Sequence, residues 1–261
     1  MEALIVKGMV SAATLYLLLV IFIVYGLKQG QRGTKYTLRK IAAIEALEEI
    51  VGRSAETGRP IHASTGSGML RGSSAPAVLA GLAIIHKACR LAANYKTDVI
   101  VTVQQPEVFA ATQETVQQAY FAEGKGDLYK PENVRFISPL SMAYVAGAIG
   151  TMNREKIAAN IIVGAFSGEA LLLAEAAARL GAIQIAGSNN ARQIPFFVAV
   201  CDYTLIGEEM FAAGAYLSDN VAQVGCLRGQ DLGKLLAVIL LLLGVLTRSM
   251  GIKTLTDILA K

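Results

Sequence analysis

The sequence feature that most constrains this chain is an apolar run near its amino terminus, residues 8–27, which holds no charged side chain. A helix rises about 1.5 Å per residue, so a run of this length extends about 30 Å, the thickness of a bilayer's hydrocarbon core. The run therefore predicts a membrane-spanning helix, and it predicts that the rest of the chain works at a membrane.

The flanks of this run favour a retained anchor over a cleaved secretory signal. A signal has a basic leader, a shorter apolar core and a small-residue cleavage site, whereas here Lys7 is the only basic residue before the run. The other flank is crowded with basic residues, namely Lys28, Arg32, Lys35, Arg39 and Lys40. Because such flanks stay in the cytoplasm, we expect a cell-membrane protein whose main domain is cytoplasmic.

The chain beyond the anchor is long enough for one domain with a substantial core, since it holds about 200 residues. The net charge is only +4, and much of the excess lies beside the anchor, where it attracts anionic lipid. The chain contains no Trp. We therefore expect the lipid bilayer, and not a nucleic acid, as its partner.

The cysteines do not form a metal or disulfide pattern. Cys89, Cys201 and Cys226 lie far apart, and only His62 and His86 could join them as ligands. An odd number of isolated thiols in apolar surroundings indicates reduced cysteines in the cytoplasm and argues against a structural zinc site. We predict no metal site.

Residues 36–51, which follow the basic flank, have the pattern of an amphipathic helix. Apolar residues recur there at every third position, and acidic residues fall among them. We expect this helix to form a stalk between the membrane and the main domain, with Gly52 and Gly58 ending it.

From Pro60 onward, short apolar runs alternate with longer helical segments. The predicted strands are residues 61–64, 98–103, 134–137, 160–163, 183–186 and 196–201. The predicted helices are residues 74–95, 106–123, 141–155, 168–180 and 207–217. This alternation predicts an α/β fold, a Rossmann-like, mainly parallel sheet with helices on both faces. The gap between the last two strands is too short for a full helix, so we expect a hairpin or an irregular crossover there.

The first of these helices is apolar on every side. Ser74 and Pro76 give it a helix start, and residues 77–93 are almost wholly apolar. A helix of this kind is buried on all sides. Its surroundings are either the core of one subunit or an interface between subunits.

A second apolar run, residues 235–246, follows a polar, glycine-rich linker. Twelve residues are short for a bilayer, but the run can continue past Arg248 through Met250. We favour a second, short membrane segment over a buried helix. The expected organisation is a transmembrane anchor (1–28), a stalk and linker (29–59), a cytoplasmic α/β domain (60–220), and a linker, second membrane helix and interfacial tail (221–261).

A ligand site is expected at the carboxyl ends of the strands, where open parallel sheets leave a crevice. Small and polar residues recur at these ends, although turns and helix caps favour the same residue types. The candidate ligand-binding residues are Ser64, Thr65, Gly66, Ser67, Gly68, Arg71, Ser167, Gly168, Ser188, Asn189 and Asp202. His62 lies beside the first of them as a candidate acid or base, whereas His86 is better explained as a core residue.

The loop after the first strand has features of an anion site but lacks the dinucleotide fingerprint. Glycines, hydroxyls and a following helix amino terminus can hold an anionic small molecule, with Arg71 supplying charge. The third glycine, Gly72, is one position late, and Gln104 stands where a ribose-binding acid is expected. No cofactor and no catalytic set can be assigned.

Three stretches resemble an uncharacterised prokaryotic family of membrane-anchored proteins known only as a domain of unknown function. They are HASTGSGMLRGSSAPAVLAGL, CDYTLIGEEMFAAGAYLS and VGCLRGQDLGKLL. The resemblance implies a membrane protein and supplies no activity.

Two functions fit the sequence. The excess of apolar helix surface and the absence of catalytic groups favour a non-enzymatic scaffold that assembles into homo-oligomers at the membrane. The alternative is a binding module or enzyme for a phosphorylated or nucleotide-like small molecule.

Overall fold

A computed structural model describes residues 10–31, 41–217 and 221–250 of the chain. These residues form two compact units. One is an α/β domain built from residues 41–217. The other is a pair of long helices from the two ends of the described chain.

The α/β domain is organised by a six-stranded parallel sheet. The strands are β1 (Ile61–Gly66), β2 (Val99–Val103), β3 (Val134–Phe136), β4 (Ala159–Ala165), β5 (Ile183–Ser188) and β6 (Tyr203–Ile206). Their order across the sheet is β3-β2-β1-β4-β5-β6, and every neighbouring pair is parallel. This is the strand order of doubly wound dinucleotide-binding sheets, so the predicted α/β fold class is confirmed.

Helices cover both faces of the sheet. One face carries α2 (Ala42–Thr57), α3 (Ala75–Tyr95), α4 (Pro106–Ala122) and α8 (Glu208–Leu217). The other face carries α5 (Ser141–Glu155), α6 (Glu169–Arg179) and α7 (Ile194–Val200). Successive residues of a strand point to opposite faces, so Ile161 packs in the first core and Ile162 in the second. Burial on both faces explains why the strands have continuous apolar sequences.

The sixth predicted strand is wrong. Residues 196–200 belong to helix α7, and β6 begins only at Tyr203. The strands β5 and β6 are parallel, so of the two expected connections the hairpin is wrong, and the chain crosses over through a short helix of seven residues. Pro195, in the first turn of α7, fixes a backbone angle suited to a helix start.

The helix predicted as a stalk instead packs within the α/β domain. Leu47, Ile50 and Val51 of α2 are at most 2% exposed and belong to the first core. The helix continues through Gly52 and ends at Gly58, which has a left-handed backbone (φ 64°). The apolar positions every third residue therefore face the domain's own core.

Helix α3 is likewise a core helix. Its residues Leu82, Ile84 and Ile85 are at most 5% exposed, and they are covered by the sheet and neighbouring helices of the same chain. Ser74 precedes the helix as expected, but its hydroxyl bonds the backbone of Met69 and does not cap the helix.

The second unit consists of α1 (Val10–Gln31) and α9 (Val221–Ser249). Close contacts join Gly26 to Gly225 and Ile23 to Gly229, so the two helices are antiparallel. Residues 221–234, expected as a linker, form the first half of α9. By length and composition α1, α3 and α9 are candidate membrane spans among the described residues, and only α3 is largely buried within the protein.

Candidate functional site

The candidate site lies at the carboxyl edge of the sheet, between β1 and β4. These strands are neighbours at the centre of the sheet, and the order of the strands reverses there. The connections leave such a switch point in opposite directions, which opens the crevice where doubly wound domains bind ligands. Most of the candidate residues from the sequence are placed at this edge.

The glycine-rich loop after β1 is folded onto the end of β4. The amides of Ser67 and Gly68 both donate to the Ala165 carbonyl oxygen, at 3.0 and 3.2 Å. A Cβ atom on Gly68 would lie 2.6 Å from the Ala165 Cβ and 2.7 Å from Val78 Cγ2. The loop therefore uses two of its amides and Gly68 for internal packing, and these amides are not free to hold a phosphate.

Arg71 is placed on the outside of this loop. Its side chain is three-quarters exposed, and its Nε lies 3.9 Å from Glu107 Oε2. The other oxygen of Glu107 accepts the Leu70 amide at 2.9 Å, so Glu107 holds the loop against α4. Arg71 is therefore a surface residue beside the edge.

The loop after β4 brings a buried carboxylate to the edge. Glu169 opens α6 and is 3% exposed, and its Oε1 accepts the Ser167 amide at 3.0 Å. The amino end of a helix favours a negative charge at this position. Gly168 has open space around it. Ser167 and Gly168 are candidate ligand-binding residues from the sequence, whereas Glu169 is not among those candidates.

The loop after β5 completes the edge. Ser188 is buried, and its Oγ accepts the Asn190 amide at 3.1 Å. The Asn190 side chain donates to the Phe166 carbonyl oxygen at 3.2 Å, which ties this loop to the β4 loop. Asn189 lies between them and is exposed.

Asp202 is not at this edge. It was expected to end a strand, but it precedes β6 and therefore lies at the amino edge of the sheet. Its Oδ2 accepts the Gln184 amide at 2.8 Å, at the start of β5. The sixth strand begins later in the chain than predicted. This carboxylate therefore lies at the edge of the sheet opposite the other candidates.

Four buried side-chain oxygens at the carboxyl edge have no hydrogen-bond partner within the described residues. They are Thr65 Oγ1, Gln104 Oε1, Glu169 Oε2 and Gln193 Oε1. Each residue is less than a tenth exposed. Buried polar atoms are nearly always paired, and leaving one unpaired costs about 1–3 kcal/mol. Their concentration at one edge is the strongest functional signal in the domain.

All four oxygens can accept a hydrogen bond, and the Thr65 hydroxyl can also donate one. The Gln104 amide orientation is fixed because its Nε2 donates to the Pro139 carbonyl oxygen at 3.1 Å, leaving Oε1 directed elsewhere. Glu169 contributes a carboxylate oxygen, and Thr65 contributes a hydroxyl. The edge therefore suits a group that donates hydrogen bonds.

Behind this edge, a row of polar side chains crosses the sheet in its interior. His62, Asn160 and Gln184 lie side by side on β1, β4 and β5. Gln184 Nε2 donates to the Ala174 carbonyl oxygen, and its Oε1 accepts Asn160 Nδ2, both at 2.9 Å. Asn160 Oδ1 can then only accept, so the proton of the 2.8 Å bond to His62 is on Nδ1.

The row continues from the other ring nitrogen of His62. Burial lowers the pKa of His62 to about 4, so the imidazole is neutral and its Nε2 accepts from Thr102 Oγ1 at 2.8 Å. Thr102 Oγ1 lies 3.3 Å from the Tyr144 hydroxyl, which lies 2.6 Å from Ser64 Oγ. Ser64 Oγ in turn accepts the Gly66 amide at 3.0 Å. The result is a single chain of hydrogen bonds that runs from the glycine loop to α6.

These hydrogen bonds hold the side chains behind the carboxyl edge in place. None of the side chains in the row is left as a free nucleophile. Burial, followed by the charge of Glu169, raises the pKa of the Tyr144 hydroxyl despite its hydrogen bonds, so it remains protonated at neutral pH. Burial likewise raises the pKa of the Cys89 and Cys201 thiols to about 12. No group of three or more metal-ligating side chains occurs in the part of the chain that the structure describes.

A polar cleft of about 230 Å³ lies at the opposite edge, where β1, β2 and β3 begin. Its acidic side chains are paired with neighbouring bases. Lys130 Nζ lies 2.8 Å from Asp98 Oδ2, and Arg135 Nη2 lies 2.8 Å from Glu155 Oε1. Because these charges are neutralised locally, the cleft is a weaker candidate than the carboxyl edge.

The strand order and the switch-point edge define a Rossmann-type α/β domain, in a chain that also carries two exposed helices long and apolar enough to cross a membrane. The chain belongs to a family described as a domain of unknown function, DUF6754, whose model matches residues 2–259. No curated protein and no solved structure matches the chain significantly.

Proposed function

We propose that this protein is a membrane-tethered binding module for a small polar molecule that presents hydrogen-bond donors, such as hydroxyl or ammonium groups. The observation that carries the proposal is the group of four unpartnered, buried oxygens at the switch-point edge. A ligand that donates to these oxygens would remove the cost of leaving them unpaired.

The chemistry of the edge favours donors over phosphate. The amides of Ser67 and Gly68 are already bonded to Ala165. The buried Glu169 carboxylate would repel an anion and would attract a cation or a hydroxyl group. A nucleotide-like ligand remains compatible through its ribose hydroxyls, whereas a ligand held by phosphate alone is not.

The membrane part of the proposal rests on α1 and α9. Both helices are exposed along most of their apolar length, and both meet the length and hydropathy of a membrane span. The basic residues that follow α1 favour a cytoplasmic α/β domain. A small-molecule receptor held at the membrane surface is the arrangement that these features support.

The scaffold that the sequence favours draws on the excess of apolar helix surface and on the absence of catalytic groups. One part of that surface, the helix after β1, is buried inside the domain, as Leu82 and Ile85 show. Self-assembly stays a second candidate because the long helices α1 and α9 are exposed along most of their apolar length.

The experiment that tests binding is native mass spectrometry of the full-length protein extracted in mild detergent. We expect a stoichiometric extra mass on the wild type and on Glu175→Gln, and a loss of that mass in Glu169→Gln. Glu175 is the matched control because it lies on the same helix but is half exposed and paired with Arg179. A charge-assisted hydrogen bond is worth about 1.5–3 kcal/mol, so Glu169→Gln should weaken binding about tenfold or more.

Defined probes provide an independent measurement. Ethanolamine, glycerol and adenosine supply ammonium and hydroxyl donors, and inorganic phosphate supplies an anion. We expect at least one donor probe to raise the unfolding midpoint of the wild type but not of Glu169→Gln. Stabilisation by phosphate alone, or equal effects in both proteins, would contradict the proposed chemistry.

A further inference from the structure

Glu169 is the only acidic side chain that is buried among the residues that the structure describes. It is 3% exposed, whereas the other described acidic residues of the α/β domain are partly or fully exposed. Acidic side chains are almost never fully buried unless an opposite charge is paired with them. Glu169 is therefore the position in the domain at which a positive charge is expected.

The described part of the chain supplies no such charge, since none of its basic side chains forms an ion pair with Glu169. One carboxylate oxygen accepts the Ser167 amide, and Oε2 has no partner. By contrast, Glu155 lies 2.8 Å from Arg135. The dipole of α6 acts as about half a positive charge at the start of the helix and donates no hydrogen bond to Oε2. The carboxylate therefore lacks both a full counter-charge and a donor.

A second unpartnered acceptor, Gln193 Oε1, lies on the neighbouring loop. Gln193 directly precedes α7 and is 8% exposed. The Asn190 side chain joins its loop to the loop of Glu169 by donating to the Phe166 carbonyl oxygen at 3.2 Å. Burial, followed by the charge of Glu169, raises the pKa of the Tyr144 hydroxyl, so the carboxylate also acts on the interior polar row. A group bound at Glu169 thus has a neutral acceptor on the loop beside it.

The other two unpartnered acceptors are neutral. Thr65 Oγ1 lies at the end of β1, and Gln104 Oε1 lies just after β2. Arg71, on the loop after β1, is exposed and lies beside Glu107. The buried part of the edge therefore has one negative charge on its β4 side and neutral acceptors on its β1 and β2 side.

The Glu169 carboxylate lies directly beneath the surface. Ser167 and Gly168, the two residues before it, are exposed, and a Cβ atom on Gly168 would meet no other atom within 4 Å. A small ligand can therefore approach the carboxylate from solvent without separating the sheet from its helices.

We propose that the ligand of this edge is a small primary amine, whose ammonium group binds Glu169 Oε2 and Gln193 Oε1 while its neutral donors face Thr65 and Gln104. A primary ammonium group offers three N–H donors and one positive charge, which a single carboxylate neutralises. A hydroxyl group offers one donor and no charge. The proposal rests on the binding function proposed above, and it names the class of ligand.

Equilibrium dialysis of radiolabelled ethanolamine against the full-length protein in mild detergent tests the proposal. We expect saturable binding to the wild type, and about tenfold or more weaker competition by ethylene glycol, in which a hydroxyl replaces the ammonium group. This comparison needs no variant, so it does not depend on the folding of one. Equal competition by unlabelled ethanolamine and ethylene glycol would overturn the ammonium assignment.

Variants locate the binding. Glu169→Gln keeps an oxygen for the Ser167 amide but removes the charge, so it should weaken ethanolamine binding about tenfold or more and abolish the advantage over ethylene glycol. Glu175→Gln is the control, because Glu175 is on the same helix, half exposed and paired with Arg179. Undiminished binding to Glu169→Gln, or equal losses in both variants, would contradict a site at Glu169.

Two further measurements separate the ways in which the proposal can fail. If potassium chloride displaces ethanolamine and tetramethylammonium chloride at the same concentration does not, the edge binds a metal cation and the amine is refuted. If ethanolamine does not bind, but glycerol or adenosine raises the unfolding midpoint of the wild type and not of Glu169→Gln, the amine is refuted and the proposed binding function stands. If none of these probes binds or stabilises the protein, both are refuted.

Discussion

His62 makes the α/β domain sensitive to acid. The imidazole is completely buried, and this burial lowers its pKa from 6.5 to about 4. The hydrogen bond to Asn160 opposes the shift, and the charge of Arg135 adds to it. The folded domain therefore keeps His62 neutral at pH values where the unfolded chain would protonate it.

The size of the effect follows from proton linkage. At pH 5 the imidazole is almost fully protonated in the unfolded chain, whereas about nine-tenths of the folded molecules keep it neutral. This difference corresponds to about 1.5 pK units at about 1.4 kcal/mol each, so acidification from pH 7 to pH 5 should cost about 2 kcal/mol of unfolding free energy. The stabilisation is complete above the unfolded pKa of 6.5 and is lost as the pH falls towards about 4.

The assay is urea unfolding of the full-length protein in nonionic detergent, followed by far-ultraviolet circular dichroism at pH 7 and pH 5. We expect His62→Gln to lose about 2 kcal/mol less than the wild type between these pH values, whatever its stability at pH 7. His86→Gln is the control, because His86 is only partly buried on α3 and bonds the Thr115 carbonyl oxygen. Equal pH dependence in wild type and His62→Gln would refute the reasoning, since contributions from other groups cancel in the comparison.

Two further predictions concern packing, and the same unfolding assay checks both. Gly81→Ala should cost about 1–3 kcal/mol, because its Cβ would collide with the Val163 carbonyl of β4, whereas Gly168→Ala points into open space and should change little. Leu47→Ala on α2 should cost about 2–4 kcal/mol, because Leu47 is 1% exposed in the core of the α/β domain. The exposed Glu49→Ala should stay within about 0.5 kcal/mol, and an equally small effect of Leu47→Ala would contradict the placement of α2.

Hydrophobic patterning predicted most of the fold because the sheet is buried on both faces. Such strands are short apolar runs, and the helices between them are long enough to be recognised by their period. The prediction of residues 141–155 as a helix coincides with α5. The local apolar pattern is therefore sufficient to predict an element wherever the strands are clearly shorter than the helices.

The same reasoning failed where an apolar run was short. Residues 196–200 are apolar throughout, so their period cannot distinguish a strand from a helix. Pro195 was the available signal, because proline is disfavoured inside a central strand and suits the first turn of a helix. Because the sixth strand is predicted too early in the chain, the prediction puts Asp202 at the carboxyl edge of the sheet, whereas it lies at the amino edge.

The interior row of polar side chains could not be predicted for a different reason. His62, Thr102 and Asn160 are visible in the sequence as polar residues in buried strands, but nothing local shows that they meet. Their pairing depends on the register of strands that are far apart in the chain. Tyr144, whose hydroxyl also takes part in this row, comes from helix α5, which lies still further along the chain.

The glycine-rich loop after β1 has the composition of an anion-binding loop, but the structure uses its amides for packing. In a phosphate site, loop amides point toward the ligand, but here the amides of Ser67 and Gly68 point into β4. The loop therefore packs against the end of β4, and the buried oxygens that lack a partner among the described residues belong to Thr65, Gln104, Glu169 and Gln193. A ligand that satisfies these oxygens must donate hydrogen bonds, so binding should tighten with the number of donor groups that a ligand offers and not with its negative charge.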